Sequence, residues 1–112
     1  MNLQIYFLKK NFDTQKALRF CKERRIPYQE VNLQKHRLGK RELNTFAKGD
    51  IRSLVDFDNR KVKEHPIAYT QSEEKIAQML IENPQFLRTP IIRNGQKSMI
   101  GFDEETLLSW MS

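Results

Sequence analysis

The chain has 112 residues, 38% hydrophobic and 30% charged, with a formal net charge of +6 at pH 7. That length suits one domain around one core. No apolar run approaches the roughly 18 residues of a membrane span, and Gln4 and Lys9-Lys10 interrupt the apolar start, so neither a span nor a signal peptide is expected and the location is read as cytoplasmic. The single Cys21 has no partner for an internal disulfide, a Cys-x-x-Cys pair or a thiolate-rich metal site, and His36 and His65 are isolated and read as exposed loop residues.

In chain order, Leu3, Ile5 and Phe7 alternate with Gln4 and Tyr6, which predicts a strand running from edge to core. A polar loop at Lys9-Lys10-Asn11 leads to an amphipathic helix from about Phe12, capped by Asn11 or Asp13. Ala17, Leu18, Phe20 and Cys21 give that helix an apolar side, while Lys16, Arg19, Lys22 and Glu23 face water. Arg25-Ile26-Pro27 ends it, because the residue before a proline is pushed out of the α region. A second strand is expected at about Tyr28–Leu33, making a βαβ unit with parallel strands. A strand feeding a helix through a short loop gathers unpaired N–H groups and the positive end of the helix dipole at one spot, here Asn11 and Thr14, a shape suited to an anion or a thiolate.

From Gln34 to Pro84 no strand is expected. Leu43, Phe46 and Ala47 mark a short helix that begins near Gly39 or Lys40 and closes at Gly49. Turns follow through Pro66, with Leu54, Val55 and Phe57 inward. Ser72 then caps a helix running to Asn83, with Ile76, Met79 and Leu80 as its apolar stripe. Pro90–Arg93 and Gln96–Ile100 read as a hairpin around a type I′ turn at Asn94-Gly95. Asp103 caps a last helix, with Phe102 placed to staple against Leu107. The order predicts an α/β, thioredoxin-like fold with a mixed four-stranded sheet: a core of about residues 1–33 and 85–112, with a helical insertion of about 34–84.

Charge is unevenly spread: residues 9–52 hold 13 Lys/Arg against 5 Asp/Glu, and residues 53–112 hold 7 against 9. Such a run reads first as a solvated face and second as a surface for an acidic partner.

Several stretches together resemble the arsenate reductase-like family, which includes the Spx transcriptional regulators. They are Ile5-Tyr6 leading to Gln15-Lys16-Ala17-Leu18, Arg25-Ile26-Pro27-Tyr28, Leu38-Gly39-Lys40-Arg41-Glu42-Leu43 and Ser72-Glu73-Glu74 with Ile76. Glu82-Asn83-Pro84, Pro90-Ile91-Ile92 and Gly101-Phe102-Asp103-Glu104-Glu105 complete the set. The resemblance implies a thioredoxin fold with a helical insertion and a cis bond before Pro90. It also implies a cysteine nucleophile in the loop before the first helix, where the dipole lowers a thiol's pKa. This chain has Asn11 at that place and Thr14 where the family's redox regulators carry a second cysteine. A mid-chain arginine of the family falls within Asp56–Asn59, most simply at Asp58, and the arginine before the cis proline is Thr89, with Arg88 one residue away.

No catalytic residue is therefore expected. Cys21 lies too deep in its helix for the dipole, which fades within the first turn, and reads as a small buried hydrophobe. The first functional reading is a non-catalytic module that binds a protein, in the Spx-like version a transcription component, with Thr89 offering its backbone to an extended peptide. The binding residues would be Lys9, Lys10, Asn11, Thr14, Arg88, Thr89 and Pro90. The second is an arsenate reductase-like or glutathione-dependent oxidoreductase: Lys9, Lys10 and the helix start attract carboxylates, so glutathione is the one ligand to consider, and no metal is expected. Direct nucleic-acid binding ranks last, having charge but no reading motif.

Overall fold

A computed structural model describes residues 1–111. The elements run β1 (Leu3–Phe7), α1 (Phe12–Glu23), β2 (Tyr28–Asn32), α2 (Lys40–Ala47), α3 (Arg60–Lys63), α4 (Glu73–Glu82), β3 (Ile91–Asn94), β4 (Lys97–Ile100) and α5 (Glu104–Trp110). Short 3₁₀ turns lie at Ile51–Leu54, Pro66–Ala68 and Pro84–Phe86. The chain packs as two compact units: residues 1–35 together with those from 89 onward, and residues 36–88.

The first unit holds one mixed sheet in the order β2-β1-β3-β4, with β1 parallel to β2 and antiparallel to β3. β1 is thus an inner strand and not one that starts at an edge. Tyr6 is buried along with Leu3, Ile5 and Phe7, so residues on both faces of β1 are buried and the period-two alternation is lost. Leu3, Ile5, Ala17, Phe20, Cys21, Ile92 and Leu107 belong to one cluster, with Phe102 packed against it. Burying each large side chain of that kind stabilises by roughly 1.5–3 kcal/mol. Phe102 stands one residue before the Asp103 cap and meets Phe20 with ring centroids 5.7 Å apart.

Two local endings differ from the sequence reading. α1 ends at Glu23, four residues before Pro27, and the chain leaves it through a left-handed Arg25 (φ 55°). Arg25 N–H donates to the Lys22 carbonyl at 3.3 Å and Ile26 N–H to that of Cys21 at 2.9 Å, the paired bonds of a Schellman motif. The hairpin turns one residue later than expected, since Asn94 pairs with Lys97 and leaves Gly95 and Gln96 as the central residues. Of these only Gly95 has positive φ (61°), the pattern of a type II′ turn and not of the type I′ that Asn94-Gly95 suggested.

The second unit is helical among its described residues, apart from an isolated antiparallel bridge between Val55 and Leu87. α2 begins at Gly39, whose N–H donates to Glu42 Oε1 at 3.4 Å, and closes through left-handed Lys48 and Gly49. α4 is capped by Ser72, which accepts from Lys75 N–H. Its buried side is Ile76, Ala77 and Leu80; Met79, expected in that stripe, is half-buried. His65 is a half-buried structural residue, not an exposed loop one: Nδ1 accepts from Ile67 N–H at 3.1 Å and the ring meets the Phe86 ring edge-on at 4.8 Å. Phe57 is exposed, beneath the Arg52 guanidinium at 5.1 Å, and does not turn inward.

Candidate functional site

α1 needs a cap because its first N–H groups have no partner within the helix. Asn11, with extended backbone (ψ −179°), supplies it: Oδ1 accepts from Thr14 N–H at 2.9 Å and from the Thr14 hydroxyl at 2.8 Å. Asp13 lies inside the first turn and leaves the capping to Asn11. Thr14 is fully buried, so its hydroxyl could not be left without an acceptor at low cost.

The other end of the Asn11 amide faces the start of β3. Nδ2 donates to the Thr89 carbonyl at 3.0 Å and lies 3.4 Å from the Thr89 hydroxyl. The Thr89-Pro90 bond is cis, and the Pro90 carbonyl accepts from Gly101 N–H at 2.7 Å. One amide thus ties the helix start to the proline ledge, using acceptor and donor together. The Thr89 backbone is the edge expected to pair with an incoming peptide, and its carbonyl already accepts this one bond.

Asn11, Thr14 and Thr89 are therefore gathered by direct bonds, with Pro90 buried beside Thr89. Lys10 turns elsewhere: its ammonium pairs with Glu30 Oε1 at 3.1 Å and lies 5.8 Å from the centre of the Phe7 ring, while its carbonyl accepts from Gln15 Nε2. Lys9 is exposed and bonds through its carbonyl to Asn11 N–H. Arg88 and Asp58 belong to the helical unit. There the Arg88 guanidinium donates to the Ser53 carbonyl at 3.3 Å and Asp58 N–H donates to Asp56 Oδ1 at 3.2 Å.

Phe12, the first residue of α1, is 73% exposed, with the Lys16 ammonium 5.2 Å from its ring centre. From the sequence, Phe12 marks only the start of a helix. A signal existed: its neighbours at i+3 and i+4 are Gln15 and Lys16, which removes it from the apolar stripe. Cys21 is fully buried, and burial pushes its thiol above the ordinary value of 9.0, away from reactivity at neutral pH. Among the described residues no group of three or more His, Cys, Asp or Glu could hold a metal ion, and no helix is long and apolar enough to cross a membrane.

A β1-α1-β2 unit joined to a β3-β4-α5 unit, with a cis proline opening β3 beside the N-terminus of α1, defines a thioredoxin-like protein. The ArsC family profile matches residues 6–110, and the chain belongs to that family. Similar solved structures include an arsenate reductase from Vibrio cholerae, 18% identical with a TM-score of 0.84 and 97% of each chain covered. An arsenate reductase related protein from Brucella melitensis is 18% identical, with a TM-score of 0.73, covering 100% of this chain and 96% of its own. A Staphylococcus aureus protein is 20% identical, with a TM-score of 0.81, covering 98% and 99%. No curated protein sequence matches significantly.

Proposed function

We propose that this ArsC-family protein is a non-catalytic binding module, whose partner is a protein of the transcription machinery. The observation that carries the reading is the Asn11 amide, which stands at the start of α1 with its oxygen spent on Thr14 and its nitrogen on Thr89. A carboxamide there has no nucleophilic electron pair to offer an oxyanion, and its bonds close the site internally. The buried Cys21 is no substitute, since thiolate chemistry needs exposure and a lowered pKa. Exposed Phe12 adds an aromatic contact of the kind that anchors protein interfaces.

The test pairs a chemical assay with a binding assay. No arsenate reduction above a heat-treated control is expected with glutathione and glutaredoxin, and purified RNA polymerase is expected to be retained by the immobilised protein. Turnover would overturn the reading; failure to retain the polymerase would remove the transcription partner. Asn11→Cys is expected to yield a thiol with a pKa well under about 8.5, because the helix start persists.

The second reading, an arsenate reductase-like oxidoreductase that binds glutathione, is favoured by family membership and by a fold shared with an arsenate reductase. It predicts that glutathione shifts the amide signals of Lys10–Thr14 and Thr89 together.

A further inference from the structure

α1 presents a second feature, on the flank where its exposed side borders the core residue Leu18. Gln15, Leu18, Arg19, Lys22 and Glu23 fall at i, i+3, i+4, i+7 and i+8, so they share one side of the helix, and with Lys10 they line a groove of about 380 Å³. Leu18 is buried and forms an apolar floor, while Lys10, Arg19 and Lys22 are exposed around it. Glu23 is the one carboxylate among these lining residues. The Lys10–Glu30 pair joins the groove to β2, which is an edge strand of the sheet.

Along β2, Leu3 N–H donates to the Pro27 carbonyl and Leu33 N–H to that of Phe7. The alternation of a parallel ladder then turns the backbone N–H and C=O of Tyr28 and Glu30 toward the open edge. A cationic groove with an apolar floor lies beside a strand edge able to accept a further strand.

We infer that this groove docks an extended, acidic segment of a partner protein, its carboxylates on Arg19 and Lys22, its apolar side chains over Leu18, and its backbone along the β2 edge. The mixed lining favours a peptide over a nucleic acid. Glu23 and Glu30 would repel a continuous row of phosphates, whereas a peptide can answer them with N–H donors or a basic side chain. The inference rests on the binding-module reading and names the chemistry of its partner.

The test uses the full chain and a short fluorescein-labelled peptide of alternating Glu and Val, read by fluorescence anisotropy and by amide shifts. Binding is expected to move the signals of Gln15, Arg19, Lys22 and Glu30. Reversing two groove charges, in Arg19→Glu with Lys22→Glu, is expected to weaken it by about tenfold or more. The charge-matched pair Lys61→Glu with Lys63→Glu, on α3 and outside the groove's lining, should change it by less than about twofold. No binding, equal losses in both double variants, or tighter binding of a single-stranded DNA oligonucleotide on the same residues would each overturn the inference. Arsenate turnover would sink the module reading instead, whatever the peptide does.

Discussion

The starts of α1 and α5 are built alike and used differently. Each has a side-chain oxygen at the cap and a threonine three residues on: Asn11 receives the hydroxyl of Thr14 at 2.8 Å, and Asp103 that of Thr106 at 2.7 Å. Asp103 has only acceptors and ends its work there, also accepting from Glu105 N–H at 3.2 Å. Asn11 has an amide nitrogen left over, and it spends this on the Thr89 carbonyl. Thr14 is buried while Thr106 is half-buried. A helix cap needs only an acceptor; a cap that also fastens the proline ledge needs an acceptor and a donor in one side chain, which selects asparagine over aspartate.

The largest expected contrast comes from removing both caps separately. Asn11→Ala should cost about 2–3 kcal/mol in denaturant unfolding, combining a lost cap with a buried Thr14 hydroxyl left without its acceptor. Asp103→Ala should cost clearly less, because water can reach Thr106. Equal losses would break the comparison. Asn11→Asp should cost less than Asn11→Ala, near 1 kcal/mol, since it keeps the cap and loses the bond to Thr89. A variant as stable as the parent would show that the Thr89 bond contributes nothing.

Cys21→Ser, at the buried middle of α1, should cost about 1 kcal/mol or more through an unmatched hydroxyl. Cys21 itself should alkylate slowly until denaturant is added. Because burial raises its pKa, its contribution to stability holds below the ordinary 9.0 and is lost as pH climbs through the raised value. The smallest effect is at α5. The Thr106 hydroxyl holds the Asp103 carboxyl below its ordinary value of 3.8, the backbone N–H bonds adding to it. A lowered pKa stabilises at neutral pH and is lost as pH falls through the folded value. Thr106→Ala should therefore move the Asp103 titration upward in carboxyl NMR, and the stability gap between variant and parent should close in acid.

The helix starts were largely legible because capping is local: Ser72 and Asp103 follow from their side chains and the acidic residues after them. Asn11 and Asp13 could not be separated in the same way, since the choice depends on which one meets the chain at Thr89, far along the sequence. The inner position of β1 and the burial of Tyr6 likewise depend on a neighbour that pairs from residues 91–93. The hairpin slipped by one residue because Asn-Gly serves a type I′ turn centrally, whereas Gly95 as the first central residue serves type II′ equally well. Hydrophobicity alone points Phe57 inward, whereas it lies at the surface with the Arg52 guanidinium 5.1 Å from its ring centre. At the candidate site the missing nucleophile was plain from residue identity, while the double use of its replacement needed coordinates.

The pairing of β1 with β3 also fixes when the sheet can be finished. β1 finds β2 across a helix, but its antiparallel partner is roughly sixty residues beyond β2, and the chain leaves the ribosome at about 5–20 residues per second. For several seconds a nascent chain would hold a βαβ fragment whose inner strand has one bare side. Leu3, Ile5 and the apolar side of α1 lack Ile92 and Leu107 during that interval. The fragment keeps that edge of β1 open to other strands until β3 arrives and pairs with it.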